Sequence, residues 1–118
     1  MGVEAIKEIL QREDLKSDVI RVLGIFGGSL WLSEVEDEIK AMNGSMGVQL
    51  QGDVKKAVEE LEKEGIVTLD YRPKGDLSGK SVREYLVKLK DLSATLMALA
   101  GDEKYRRYIN VRREAMWR

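Results

Sequence analysis

A chain of 118 residues, 43% apolar and 35% charged, has enough apolar mass for one modest core, and its 20 Lys plus Arg against 21 Asp plus Glu leave a net charge of -1. That balance predicts no strong overall pull toward nucleic acid or membrane, so a polyanion site has to come from local asymmetry. The absence of cysteine excludes disulfides and thiolate metal centres, and the absence of histidine removes the commonest general base and metal ligand. No catalytic residue, metal site or cofactor is assigned, and an enzyme is not expected. No apolar run approaches a membrane span and residues 1–12 are too acidic for a signal peptide, so the expected location is cytoplasmic, with no membrane partner.

Residues 2–13 place Val3, Ile6, Ile9 and Leu10 at helical spacing and predict a short amphipathic helix. Residues 14–16 break it, and Ser17 is the expected N-cap of a second helix. Ile20, Leu23 and Phe26 form that helix's inward stripe, and Gly27-Gly28 ends it. Leu30, Trp31 and Leu32 predict a very short strand. Ser33-Glu34-Val35-Glu36 matches a capping box, opening a third helix to about Met42 with Val35, Ile39 and Met42 inward. Residues 43–47 are a loop by composition. A fourth helix spans roughly residues 51–64, with Val54, Ala57, Val58 and Leu61 on one face and Gly65 placed to stop it at positive φ.

Two alternating runs follow. Val67, Leu69 and Tyr71 alternate with Thr68, Asp70 and Arg72, and Tyr85, Val87 and Leu89 alternate with Glu84, Leu86 and Lys88. The period of two predicts a hairpin, with residues 73–80 as a flexible connection. Asp91 or Ser93 can cap a final helical region that Gly101-Asp102 splits into 92–100 and 102–117, and Tyr105, Tyr108, Ile109, Arg112 and Met116 share a face of the second part.

A lone hairpin is marginal in water and has to lean on the helices, and residues 30–32 can supply its third strand. The expected fold is therefore mainly α with a small antiparallel β-hairpin (α+β): a winged helix-turn-helix with extra N- and C-terminal helices. It is a single domain over 1–118, with the winged-helix core at 15–91 and a C-terminal helical region at 92–118 expected to dimerise. In that interface Val3, Ile6 and Leu10 would join Tyr105, Tyr108, Ile109 and Met116.

"QGDVKKAVEELEKEGIVTLDYR", residues 51–72, resembles the recognition helix and first wing strand of winged-helix transcription regulators, of the PadR-like type first and the MarR-like type next. Gly52 stands where that type begins its recognition helix, Val54 follows two places on, and Leu61-Glu62-Lys63-Glu64-Gly65-Ile66 matches its closing run. "KSVREYLVKLKDLS" is similar to the basic-aromatic second strand that leads into a last helix. The resemblance covers about residues 17–100. It departs at the helix start, where Gln51, Asp53, Lys55 and Lys56 stand in place of the usual Ser, Thr, Tyr or Arg, and in the later turns, which carry Glu59, Glu60, Glu62 and Glu64.

Local charge sharpens the expectation. Residues 31–64 hold four lysines against nine carboxylates, a net of -5. Residues 71–90 hold six cations against two carboxylates, a net of +4, and residues 102–118 six against three, a net of +3. The resemblance implies sequence-specific binding to double-stranded DNA by a homodimeric regulator of transcription. Gln51, Lys55 and Lys56 would face the major groove, and Arg72, Lys74, Lys80 and Arg83 the backbone or minor groove. A protein-interaction module, an adaptor without direct DNA binding, is the competing expectation, favoured by the acidic back of the fourth helix. A small-molecule effector pocket under the last helix is compatible with the sequence, which names no ligand.

Overall fold

The computed structural model describes residues 2–49, 52–75 and 81–116. These form six helices and one three-stranded antiparallel sheet, an α+β arrangement: α1 (Val3–Gln11), α2 (Leu15–Ile25), β1 (Ser29–Trp31), α3 (Leu32–Ser45), α4 (Val54–Lys63), β2 (Val67–Gly75), β3 (Ser81–Leu89), α5 (Leu92–Leu99) and α6 (Glu103–Met116). The sheet order is β1-β3-β2. None of the helices described is long and apolar enough to cross a membrane.

The chain turns between α1 and α2 at Glu13, whose φ of 52° is left-handed. The cap of α2 is Asp14, not Ser17. Asp14 Oδ1 accepts from the Ser17 N–H at 3.1 Å, the Ser17 hydroxyl accepts from the Asp14 N–H at 3.3 Å, and that hydroxyl donates to the Ile9 carbonyl at 2.7 Å. Ser17 is thus the third residue of the helix and ties it to α1. α2 is the central helix: Val19, Ile20, Val22 and Leu23 are fully buried, and so are Asp18 and Arg21. A helix buried on nearly every side needs its polar residues paired. α5 crosses α2 so closely that a Cβ on Gly24 would sit 2.3 Å from Leu99 Cδ1.

The pairing is a network that fastens α6 to the core. The Arg21 guanidinium grips Asp102 with two bonds (Nε to Oδ2, 2.7 Å; Nη2 to Oδ1, 3.0 Å), donates to Asp18 Oδ1 at 2.8 Å and reaches the Leu10 carbonyl at 3.2 Å. Asp18 Oδ2 also accepts from Asn43 Nδ2 at 3.0 Å and Lys104 Nζ at 3.1 Å. Burial alone would lower the Arg21 pKa, but the bonds to Asp102 and Asp18 outweigh it and raise the pKa above its usual value. Asn43 explains why α3 runs on to Ser45 beyond the expected end at Met42: its amide also donates to the Ile39 carbonyl at 3.1 Å, and tertiary bonding overrides weak local propensity. Farther along α6, Arg112 lies over the Phe26 ring at 4.6 Å and 3.6 Å from Glu38.

α3 also starts earlier than the expected capping box. The Trp31 N–H donates to Glu34 Oε1 at 3.0 Å, so the acidic residue that reaches back is Glu34, not Glu36. The Ser33 N–H, freed from that role, donates to Glu84 on β3. β2 and β3 pair over nine residues, from Val67 opposite Leu89 to Gly75 opposite Ser81. The strand therefore continues through Pro73, where a loop was expected. β2 is an edge strand, and an edge tolerates a residue with no N–H to donate.

Candidate nucleic-acid interface

Helix α4 is set in place at its first residues. Gly52 has φ +136°, and a Cβ there would lie 2.6 Å from Leu15 Cδ1, so the backbone presses directly onto the start of α2. Asp53 then caps the helix, its Oδ1 accepting from the Lys55 N–H at 3.0 Å. This occupies the carboxylate with the helix's own backbone. Ala57, Val58 and Leu61 are buried, and Lys55, Lys56, Glu59, Glu62 and Lys63 are exposed on the far side. Gly65, with φ +79°, follows the last turn as expected.

The four carboxylates of the later turns part company. Glu60 and Glu64 turn toward Lys16 at the start of α2, at 3.8 Å and 3.1 Å from its Nζ. Glu59 and Glu62 stay on the outward side. Together with Lys56, Lys63 and also Glu60, they line one wall of a cleft of about 450 Å³ whose other wall is Leu69 and Tyr85 of the hairpin. Charges of both signs therefore meet in the cleft.

Pairing register divides the hairpin cations between two faces. Directly opposed residues share a face, so Leu69, Tyr71 and Pro73 lie with Val87, Tyr85 and Arg83, while Asp70, Arg72 and Lys74 lie with Leu86, Glu84 and Val82. The first face looks into the cleft. There Tyr71 and Tyr85 pack with ring centroids 4.9 Å apart, and the exposed Arg83 guanidinium is 6.0 Å from the Tyr71 ring. On the second face Arg72 is exposed, with Asp70 at 3.5 Å. Lys74 is engaged within the fold: its Nζ is 3.2 Å from Glu84 Oε2 and 5.5 Å from the Trp31 ring centroid. Burial alone would raise the Glu84 pKa, but hydrogen bonds from Ser33 and the Lys74 ammonium outweigh it and hold the carboxyl below its usual range.

Of the seven expected DNA contacts, Lys55, Lys56 and Arg83 lie on α4 and the hairpin face turned to it, and Arg72 and Lys74 on the opposite hairpin face. Gln51 and Lys80 lie outside the described residues. Sequence reasoning missed the Tyr71–Tyr85 pair under Arg83. Their shared parity along the two strands was the available signal.

The expected dimer surface needs correction. Ile6, Leu10 and Tyr108 are 2%, 4% and 4% exposed, packed into the chain's own core, and have no side-chain surface left for a second copy. Val3, Tyr105 and Ile109 are half-buried, and the side chain of Met116 lies outside the described residues. Exposed apolar side chains among the described residues include Val48, Tyr71 and Val82 on other parts of the surface, Val111 on α6, and the α5 group Leu92, Leu96 and Met97, the last 62% exposed.

No protein-family model matches the chain, and no curated protein matches it either.

Proposed function

We propose that the chain is a winged helix-turn-helix protein that binds double-stranded DNA sequence-specifically and regulates transcription as a homodimer. The first turns of α4 enter the major groove, and the β2–β3 hairpin, the wing, rests on the backbone or in the adjoining minor groove. The observation that carries this is the setting of α4. Gly52 and Asp53 anchor its start, its apolar face is buried, and Lys55 and Lys56 stand exposed beside a hairpin whose Arg72 and Arg83 are exposed too. The order α2, β1, α3, α4, β2, β3, with β1 pairing β3, supports the winged-helix assignment and the likeness to PadR-like regulators. Lysine donors suit base edges, and guanidinium groups on a projecting ribbon suit phosphates. Dimerisation is assigned to Val3, Tyr105 and Ile109 together with the exposed Leu92, Leu96 and Met97.

The test is a gel shift with mixed genomic duplex at low salt. A retarded complex that disappears as salt is added supports the proposal, and a folded protein that retards nothing removes it. One observation favours the adaptor as a second reading: Glu59 and Glu62 beside Leu69 and Tyr85 suit a basic, partly apolar peptide. Co-purification of a protein partner by a chain that retains no DNA selects that reading.

A further inference from the structure

The outward stripe of α4 carries more than lysines. Lys56, Glu59 and Lys63 recur at i, i+3 and i+7, opposite the buried Ala57, Val58 and Leu61, so they form the ridge farthest from the core. A carboxylate on that ridge is unfavourable near phosphates unless it finds a donor in the groove. Among the described residues Glu59 forms no ion pair, whereas its neighbour Glu60 turns to Lys16. On the ridge itself Lys56 and Lys63 flank it without forming an ion pair to it among the described residues.

We propose that Glu59 is a specificity-determining residue that accepts a hydrogen bond from a cytosine amino group, while Lys56 donates to the guanine of an adjoining base pair. This rests on the DNA-binding proposal above. Two chemical facts lead to it. In the major groove the N4 amino group of cytosine is the donor that an Asp or Glu matches, and the O6/N7 edge of guanine is the acceptor pair that a lysine matches. The spacing also fits: three helical residues advance about 4.5 Å along the axis, comparable to the roughly 3.4 Å rise of one base step. Lys63, a further turn along, is placed for the phosphate rim. The half-site is thereby expected to contain a G·C step under the middle of α4.

The experiment is selection from a random-sequence duplex library by the full chain, wild type and Glu59→Gln in parallel. Melting of both proteins is followed by circular dichroism, since an exposed Glu59 leaves the fold indifferent to the change. Glutamine matches the N6/N7 edge of adenine, so the expected result is that one selected position changes from cytosine to adenine while the others hold. At that position the ratio of affinities for cytosine and adenine duplexes should move by about 5- to 150-fold. Persistence of cytosine in the Glu59→Gln selection overturns the inference. So does uniform tightening on all duplexes, which would make Glu59 a purely repulsive charge. If the wild-type chain enriches no duplex at low salt, the DNA-binding proposal itself fails and takes the inference with it.

Discussion

Replacing Arg21 with Met tests how the C-terminal helix is held. The guanidinium is 1% exposed and makes four hydrogen bonds, to Asp102 twice, to Asp18 and to the Leu10 carbonyl. Methionine fills much of the volume but donates nothing. Asp18, fully buried, keeps Asn43 and Lys104, while the Asp102 carboxylate keeps only the Tyr105 N–H at 2.9 Å among the described residues. Removing one member of a buried ion pair destabilises by about 3–5 kcal/mol. Unfolding entropy of about 2.1 cal/mol/K per residue gives a chain of this length roughly 0.25 kcal/mol/K, so Tm should fall by about 12–20 °C. Thermal and urea melts by circular dichroism read both quantities. Arg21→Lys, which keeps the charge but not the fork, should recover only part of the loss. A fall in Tm under about 4 °C for Arg21→Met, or full recovery by lysine, would refute the assignment of Arg21 as the fastening of α6 to α2.

Three further outcomes are expected. Glu84 has a folded pKa below its unfolded value of 4.5, so its stabilisation is complete above that pH and is lost as pH falls through the folded pKa; Glu84→Gln should flatten the acid limb of a stability–pH curve below about pH 4.5 and leave the neutral slope unchanged. Gly52→Ala forces a side chain into a left-handed position against Leu15 and should destabilise by about 1–3 kcal/mol in urea melts, with weaker duplex binding because the start of α4 shifts. Met97→Glu combined with Leu96→Gln should convert the proposed dimer to a monomer in sedimentation velocity without lowering Tm of the protomer, because both side chains are exposed; an unchanged dimeric coefficient would move the contact elsewhere, and a monomeric wild type would remove the dimer.

The helices and the hairpin were legible because their apolar periods are clean: Ile6, Ile9 and Leu10 in α1, Val58 and Leu61 in α4, Val87 and Leu89 in β3 all face the core. What escaped was the partnership of residues far apart in sequence. Asp18 and Arg21 look like surface charges within their own helix, and the residue that accounts for burying Arg21 is Asp102, 81 positions on. The same apolar stripe serves a chain's own core or a second copy equally well, so Ile6, Leu10 and Tyr108 were assigned to the wrong neighbour. In the candidate site, the sequence reading started α4 at residue 51, whereas Asp53 caps it and Val54 begins it, because Gly52 is fixed by its approach to Leu15, 37 positions earlier. The engagement of Lys74 by Glu84 could not be read either, because a diagonal contact across β2 and β3 depends on a register that the hairpin's full length sets. Likewise the alternation of Arg72, Lys74 and Arg83 shows their parity, but only pairing shows that Arg83 alone shares the cleft face.

The decisive measurement for the DNA-binding proposal is the salt dependence of duplex binding by the wild type and by single alanine variants of the β2–β3 hairpin. Each phosphate contact contributes about 0.9 to the magnitude of the slope of log K against log salt. The wild-type slope should be steep and drop by about that amount for Arg83→Ala, by somewhat less for Arg72→Ala, whose pair with Asp70 is long and solvent-exposed, and by least for Lys74→Ala, whose charge the less exposed Glu84 already offsets. A slope near zero, or one that none of the three variants alters, would contradict the proposal.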